Sequence, residues 1–153
     1  MLPAAAIDQP LAPGTPAPPF SLSACNESDA VSLSQYQGKN LILVFYPKDQ
    51  TPGCTRQLCA LQESFDTLSS LGAAVLASNP GSVESHQRFA DKYGYAFPIL
   101  CDADKSMARA YHALKEEGGI QRTVYLIDKD GVIRYGKQGS PSIEELSDAL
   151  RVL

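Results

Sequence analysis

No apolar run in this chain of 153 residues approaches the about 20 that a membrane-spanning helix needs. Basic residues do not predominate either. Thirteen Lys and Arg against 17 Asp and Glu leave a formal net charge of -4, which argues against a nucleic acid as partner. The four cysteines, at 25, 54, 59 and 101, include no Cys-x-x-Cys. They are too few and too unevenly spaced for a secreted disulfide framework, and a reducing compartment with one redox-active pair fits better. With His86 and His112 scattered among them they make no zinc-ligand pattern, so no metal is expected. No internal repeat or linker divides the chain, and 44% hydrophobic with 20% charged residues is ordinary for one globular domain over 1–153. Residues Met1 to Ile7 have no basic flank and are too short for a secretory apolar segment, so no leader is expected.

What is present reads as alternating elements. Residues 1–16 are rich in Pro and Ala and are expected to run as an extended arm. Residues 20–22 and 31–33 suggest a short hairpin, and 41–46 (Leu-Ile-Leu-Val-Phe-Tyr) a buried strand. A helix is expected over 52–70, a strand over 73–78, a helix from Ser82 or Gly81 to Tyr93, a short strand over 97–100 and a helix over 104–114. Strands 122–128 and 132–136 meet across Asp128-Lys129-Asp130-Gly131, a hairpin signal. Ser142 begins a last amphipathic helix carrying Ile143, Leu146, Ala149, Leu150 and Leu153. This order predicts an α/β fold with a mixed central sheet and helices on both faces.

The informative stretch is Pro47-Lys48-Asp49-Gln50-Thr51-Pro52-Gly53-Cys54-Thr55, with Cys59 following. Thr51 suits an N-cap and Pro52 the first helical position, where its missing N–H is not needed. Gly53 lets the backbone come close to whatever binds there. The Cys54 sulfur then lies among unpaired N–H groups at the positive end of the helix dipole, a setting that favours a nucleophilic thiolate. Cys54 shares the apolar stripe with Leu58, Leu61, Phe65 and Leu68, whereas Cys59 lies on the polar side with Gln62, Glu63 and Asp66. Five residues apart on an ideal helix, the two Cα atoms are about 8–9 Å apart and the side chains diverge by about 140°. A disulfide requires less than about 7 Å, so pairing demands that the first turns unwind.

The run from Phe45 to Thr55 with Cys59 resembles the active-site loop of the peroxiredoxins, most closely the peroxiredoxin Q group, also called bacterioferritin comigratory protein. The likeness continues through Ala17-Pro18-Pro19-Phe20-Ser21-Leu22, Val31-Ser32-Leu33-Ser34, Gly38-Lys39, Phe97-Pro98-Ile99-Leu100-Cys101-Asp102 and Arg122-Thr123-Val124-Tyr125-Leu126-Ile127-Asp128-Lys129-Asp130-Gly131, in family order from about Pro13 onward. The resemblance implies a thioredoxin-like fold and a thiol peroxidase that reduces hydrogen peroxide and alkyl hydroperoxides. It casts Cys54 as the peroxidatic cysteine and Cys59 as the resolving one, linked afterwards by a disulfide that thioredoxin or a similar dithiol reduces. Thr51, Gly53 and Arg122 would hold the peroxide, Arg122 would supply the cation, and Pro47 would shield the sulfur. No haem, flavin or metal is implied. Gln57 stands where the group often carries Glu or Gln, and Leu58 is bulkier than the Ala frequent there.

Two other readings stay open at this point. A general disulfide oxidoreductase is disfavoured by the absent Cys-x-x-Cys, and a non-catalytic redox sensor could use the same helix switch. Cys101 is expected in the core and Cys25 on a polar turn where it could react, both as bystanders. His86 and His112 are expected on helix surfaces. A resolving cysteine on the same helix needs no partner subunit, so a monomer is expected, in the cytoplasm or in a plastid after removal of a transit peptide.

Overall fold

The computed structural model describes residues 9–153. Its centre is β3 (Asn40–Phe45), every residue of which is buried. That strand lies between β4 (Ala73–Asn79), parallel to it, and β6 (Thr123–Ile127), antiparallel. β5 (Ile99–Cys101) pairs parallel with β4 and β7 (Ile133–Gln138) antiparallel with β6, so the sheet order is β5-β4-β3-β6-β7. The unbroken apolar run over 41–46 follows from this position, since a strand covered on both faces has no side left for polar residues. Ile42, Val44 and Tyr46 enter one core and Leu41, Leu43 and Phe45 the other.

The first core is closed by α1 (Pro52–Glu63), α2 (Phe65–Ser70), α3 (Val83–Tyr93) and α5 (Ile143–Arg151), through Leu58, Leu61, Leu68, Phe89, Leu146 and Leu150. The second is closed by α4 (Ser106–Ala110), through Met107 and Ala108, and by a separate hairpin of β1 (Ser21–Leu22) and β2 (Val31–Ser32). The expected mixed sheet with helices on both faces and a short hairpin is thus observed.

Several boundaries differ. The helix expected over 52–70 breaks at Ser64 (φ -99, ψ 10) into α1 and α2. Ser64 donates to Ala60 O at 3.2 Å and accepts from the Leu68 N–H at 2.9 Å, so the break leaves Leu58, Leu61 and Leu68 on the same core. The helix expected over 104–114 is only α4. The buried Asp102 carboxylate accepts from the N–H groups of Met107 (3.1 Å) and Ala108 (2.8 Å) and fixes its start. The positive φ of His112 (55°) lies just beyond its end. α5 is capped as expected by Ser142, which accepts from the Glu145 N–H at 3.0 Å, but Leu153 lies past the helix and is 42% exposed.

Of the arm expected over 1–16, residues 1–8 lie outside the described residues. Residues 9–16 run along β7 without joining the sheet as a strand: Gly14 N–H donates to Ile133 O, Ile133 N–H to Thr15 O, and Pro16 forms an isolated bridge to Val132. Gly136 is required here, because a Cβ at that position would stand 2.8 Å from the Tyr125 ring and 3.2 Å from Pro10. No helix among the described residues is long and apolar enough to cross a membrane.

Candidate active site

The chain leaves β3 through Tyr46 and reaches α1 over the loop 47–51. Thr51 takes the extended cap conformation (φ -79, ψ 150) and Pro52 is the first helical residue, as expected. The Thr51 side chain does not cap, however. Its hydroxyl donates to Lys48 O at 2.9 Å, so the first turn of α1 keeps no side-chain cap and Thr51 Oγ1 keeps its lone pairs as an acceptor. Thr55 N–H closes the first helical bond on Thr51 O at 2.8 Å.

Cys54 sits in that turn, 1% exposed. Arg122, at the residue before β6, points its guanidinium into it. Nη2 lies 3.1 Å from the Cys54 sulfur, and Nη1 donates to Gln57 Oε1 at 2.6 Å. Gln57 is itself buried, one helical turn beyond Cys54, so it braces the guanidinium against the sulfur. A Cβ on Gly53 would stand 3.4 Å from Arg122 Nη2, so the glycine leaves the cation its room. A cleft of about 320 Å³ opens beside Gly53 and Arg122, with Leu61, Val124, Ile143 and Leu146 among its walls. Structure therefore brings Cys54, Gly53, Gln57 and Arg122 together, with Thr51 at the cap. Pro47 is exposed at the other end of the loop.

Cys59 is on the same helix, partly buried, and its sulfur lies 3.4 Å from the Tyr95 hydroxyl. It is less exposed than its expected place on the polar side implies, because it packs against the core beneath Tyr95. All four cysteines are unpaired.

The other two cysteines exchange their expected places. Cys25 is 1% exposed, and burial first, with the negative charges of Asp49 and Asp91 adding to it, pushes its thiol up to about 11. Cys101, at the end of β5, is only partly buried, though burial also pushes it up to about 11. The cause is an isolated bridge between Ala24 and Leu100, in which Cys25 N–H donates to Ile99 O at 3.1 Å and draws the turn residue inward.

Sequence reasoning missed a second group that fixes the loop. His86, expected at the surface, is fully buried. Its Nδ1 lies 2.7 Å from Asp49 Oδ2, which also accepts from Ser85 Oγ at 2.6 Å, while Tyr46 OH donates to Asp49 Oδ1. Burial pushes the Asp49 carboxyl up, but the bonds from His86, Ser85 and Tyr46 outweigh it and hold the group below the usual carboxylate range. A signal was available: His86, Phe89, Ala90 and Tyr93 recur at i, i+3, i+4 and i+7, which is the apolar stripe of α3. His112 is half-buried at a positive φ, outside any helix, with Nδ1 3.1 Å from Gln9 O. Among the described residues no three His, Cys, Asp or Glu side chains gather as metal ligands would.

Residues 13–136 match the AhpC/TSA family. The chain is 40% identical over 127 residues to a putative peroxiredoxin Bcp of Coxiella burnetii, covering 78% of this chain and 83% of that one. It is 35% identical over 144 residues to a chloroplastic peroxiredoxin Q of Sedum lineare, covering 92% and 76%. Among solved structures, peroxiredoxin Q of Xanthomonas campestris superposes with a TM-score of 0.77 at 29% identity, covering 87% of each chain. The bacterioferritin comigratory protein of the same organism, described for its alkyl peroxide reduction activity, superposes with a TM-score of 0.77 at 28% identity over 87% of this chain and 88% of that one. The mixed sheet flanked by helices is the thioredoxin-like arrangement these structures share.

Proposed function

Because the chain belongs to the AhpC/TSA family and, within it, to the peroxiredoxin Q/Bcp group, we propose that its thiol peroxidase chemistry is carried by Cys54, with Arg122 and Thr51 as its partners and Cys59 as the resolving thiol. The protein is a peroxiredoxin, a thiol peroxidase that a thioredoxin-type dithiol recycles. The observation that carries the residue assignment is the guanidinium nitrogen 3.1 Å from a buried sulfur in the first turn of a helix.

The Cys54 thiolate attacks the terminal oxygen of the peroxide. The O–O bond breaks, the other oxygen, which carries the alkyl group or hydrogen, takes a proton and leaves as an alcohol or water, and the sulfur keeps the attacked oxygen as a sulfenic acid. Negative charge grows on the departing oxygen in the transition state. Donors fixed beforehand lower that barrier most, and Arg122, held by Gln57, is already in place. Thr51 Oγ1, whose own hydrogen is committed to Lys48 O, accepts from the peroxide O–H and orients it. The apolar walls of the neighbouring cleft accommodate the organic part of an alkyl hydroperoxide. The Cys59 sulfur then attacks the Cys54 sulfur, a disulfide forms and water leaves. Exchange with an external dithiol restores both thiols. The cycle needs no second subunit, which favours a monomer, in the bacterial cytoplasm or in a plastid like the Sedum relative.

One equivalent of hydrogen peroxide should lower the intact mass by two hydrogens and yield one linked peptide pair, Cys54 with Cys59. Cys54→Ser should consume no peroxide. Cys59→Ser should oxidise once and stall with thioredoxin. Normal turnover of the Cys59 variant would transfer the resolving role to another cysteine.

A further inference from the structure

The resolving sulfur is held. Tyr95 is buried, its ring stacked on Phe97 (centroids 5.1 Å apart) and on Tyr93 (5.9 Å), with Phe89 edge-on at 5.1 Å. Its backbone is tied too: Tyr95 N–H donates to Ala90 O, and Asn26 Nδ2 donates to the carbonyls of Tyr95 and Phe97. From this rigid post the hydroxyl donates to Thr55 O at 3.4 Å and meets the Cys59 sulfur at 3.4 Å. One residue on, Ala96 N–H donates to Gln62 Oε1 at 2.7 Å. Thr55, Cys59 and Gln62 are i, i+4 and i+7 of α1, so they form one stripe of the helix facing one short segment.

The stripe runs through the part of α1 that has to unwind before Cys59 can reach Cys54. A hydroxyl whose hydrogen goes to Thr55 O can only accept from Cys59, which engages the thiol hydrogen that must leave for the sulfur to attack. Working against this hold, Thr55 Oγ1 is buried without a hydrogen-bond partner, a standing penalty of the folded turn that water relieves on unwinding.

Resting on the reading of Cys59 as the resolving cysteine, we propose that Tyr95 is a positioning residue that latches α1 and the Cys59 thiol. In this way it sets how long the Cys54 sulfenic acid waits before the disulfide forms. The O–H···O contact is long and the latch is light: it delays resolution without blocking it. While the sulfenic acid waits, a second peroxide competes for it, and that reaction gives the sulfinic acid and water or an alcohol. The latch therefore trades turnover against overoxidation. The Tyr95 hydroxyl bonds Cys59 and Thr55 O, whereas the Cys54 sulfur is held by Arg122 and that guanidinium by Gln57, so the first oxidation does not depend on the hydroxyl.

Tyr95→Phe keeps the stacked ring and removes only the hydroxyl. Its disulfide should form about three- to tenfold faster in single-turnover mixing, the effect of one or two modest hydrogen bonds. The yield of Cys54 sulfinic acid, read as a gain of two oxygens at high peroxide, should fall in parallel. Iodoacetamide should label Cys59 of the reduced variant faster than in the parent, with Cys54 labelled as before and the rate of the first oxidation unchanged. A general loosening of the core would instead slow the first oxidation and lower the melting temperature. Resolution at the parental rate, or slower, would overturn the latch. Cys59→Ser alongside separates the two ideas: if it forms its disulfide normally, the resolving assignment fails; if it stalls while Tyr95→Phe behaves as parent, only the latch fails. Should Tyr95→Phe not fold, ring-carbon NMR of tyrosine-labelled parent protein decides, since disulfide formation must shift the Tyr95 resonance and an unmoved signal refutes the proposal.

Discussion

Cys25 and Cys54 are equally hidden, each 1% exposed, and both contribute to the same core. One is surrounded by apolar side chains and distant carboxylates, which push its thiol up to about 11. The other has a guanidinium at 3.1 Å and lies in the uncapped first turn of a helix. Burial therefore does not decide what a cysteine does. The two differ in the cation beside the Cys54 sulfur, since Cys25 has hydrogen bonds from the backbone but its nearby charges are negative.

That contrast can be broken in several ways. The largest expected effect is Cys54→Ser, which should abolish peroxide consumption, whereas Cys25→Ser should leave its rate unchanged. An active Cys54→Ser would move the chemistry elsewhere. Next, Arg122→Ala should lower the second-order rate with hydrogen peroxide by about 10²–10³, the usual loss when one fixed donor to a developing charge is removed. Gln57→Ala, which takes away only the brace on that guanidinium, should cost less. A fall of under threefold for Arg122→Ala would leave helix position as the sole advantage of Cys54.

The loop that delivers Cys54 has its own anchor at Asp49. Asp49→Ala strands the donors of Tyr46, Ser85 and His86 and should destabilise the fold by about 3–5 kcal/mol in urea unfolding. The carboxyl is held below its unfolded value, so its stabilisation is complete above the ordinary range near about 4 and disappears as pH falls through the folded value. The parent should thus lose stability on acidification more steeply than Asp49→Ala, and parallel curves would exclude this anchor. The smallest effect belongs to Cys25→Ala, about 1–2 kcal/mol for the cavity left behind, without change in activity.

How far the sequence alone reached depended on whether the cause was local. The buried central strand, within one residue at each end, the Thr51-Pro52 helix start, a helix start at Ser82 or Gly81 and the Ser142 cap are short-range chemistry, and these were legible. Arg122 was legible only through resemblance, since a cation 68 positions from Cys54 leaves no local mark. Cys25 was misplaced because its burial arises from a bridge to β5, more than 70 residues away, while its neighbours Asn26 and Glu27 are polar. α4 came out shorter than its pattern because the Asp102 cap and the turn at His112 bound it on either side. Tyr95 gave no periodic signal at all, lying between α3 and β5 in a stretch whose importance is set by what α1 lays against it.

The opening stretch of the described chain runs past both margins of the sheet. Residues 14–17 bond to 131–133 at the start of β7, and residues 23–25 bond to 99–101 along β5. Bare outer strands are templates on which a second molecule can add its own strand. The strap therefore withholds the start of β7 and the length of β5 from such pairing, and a chain trimmed to begin at Phe20 should scatter light at concentrations where the longer one stays dispersed.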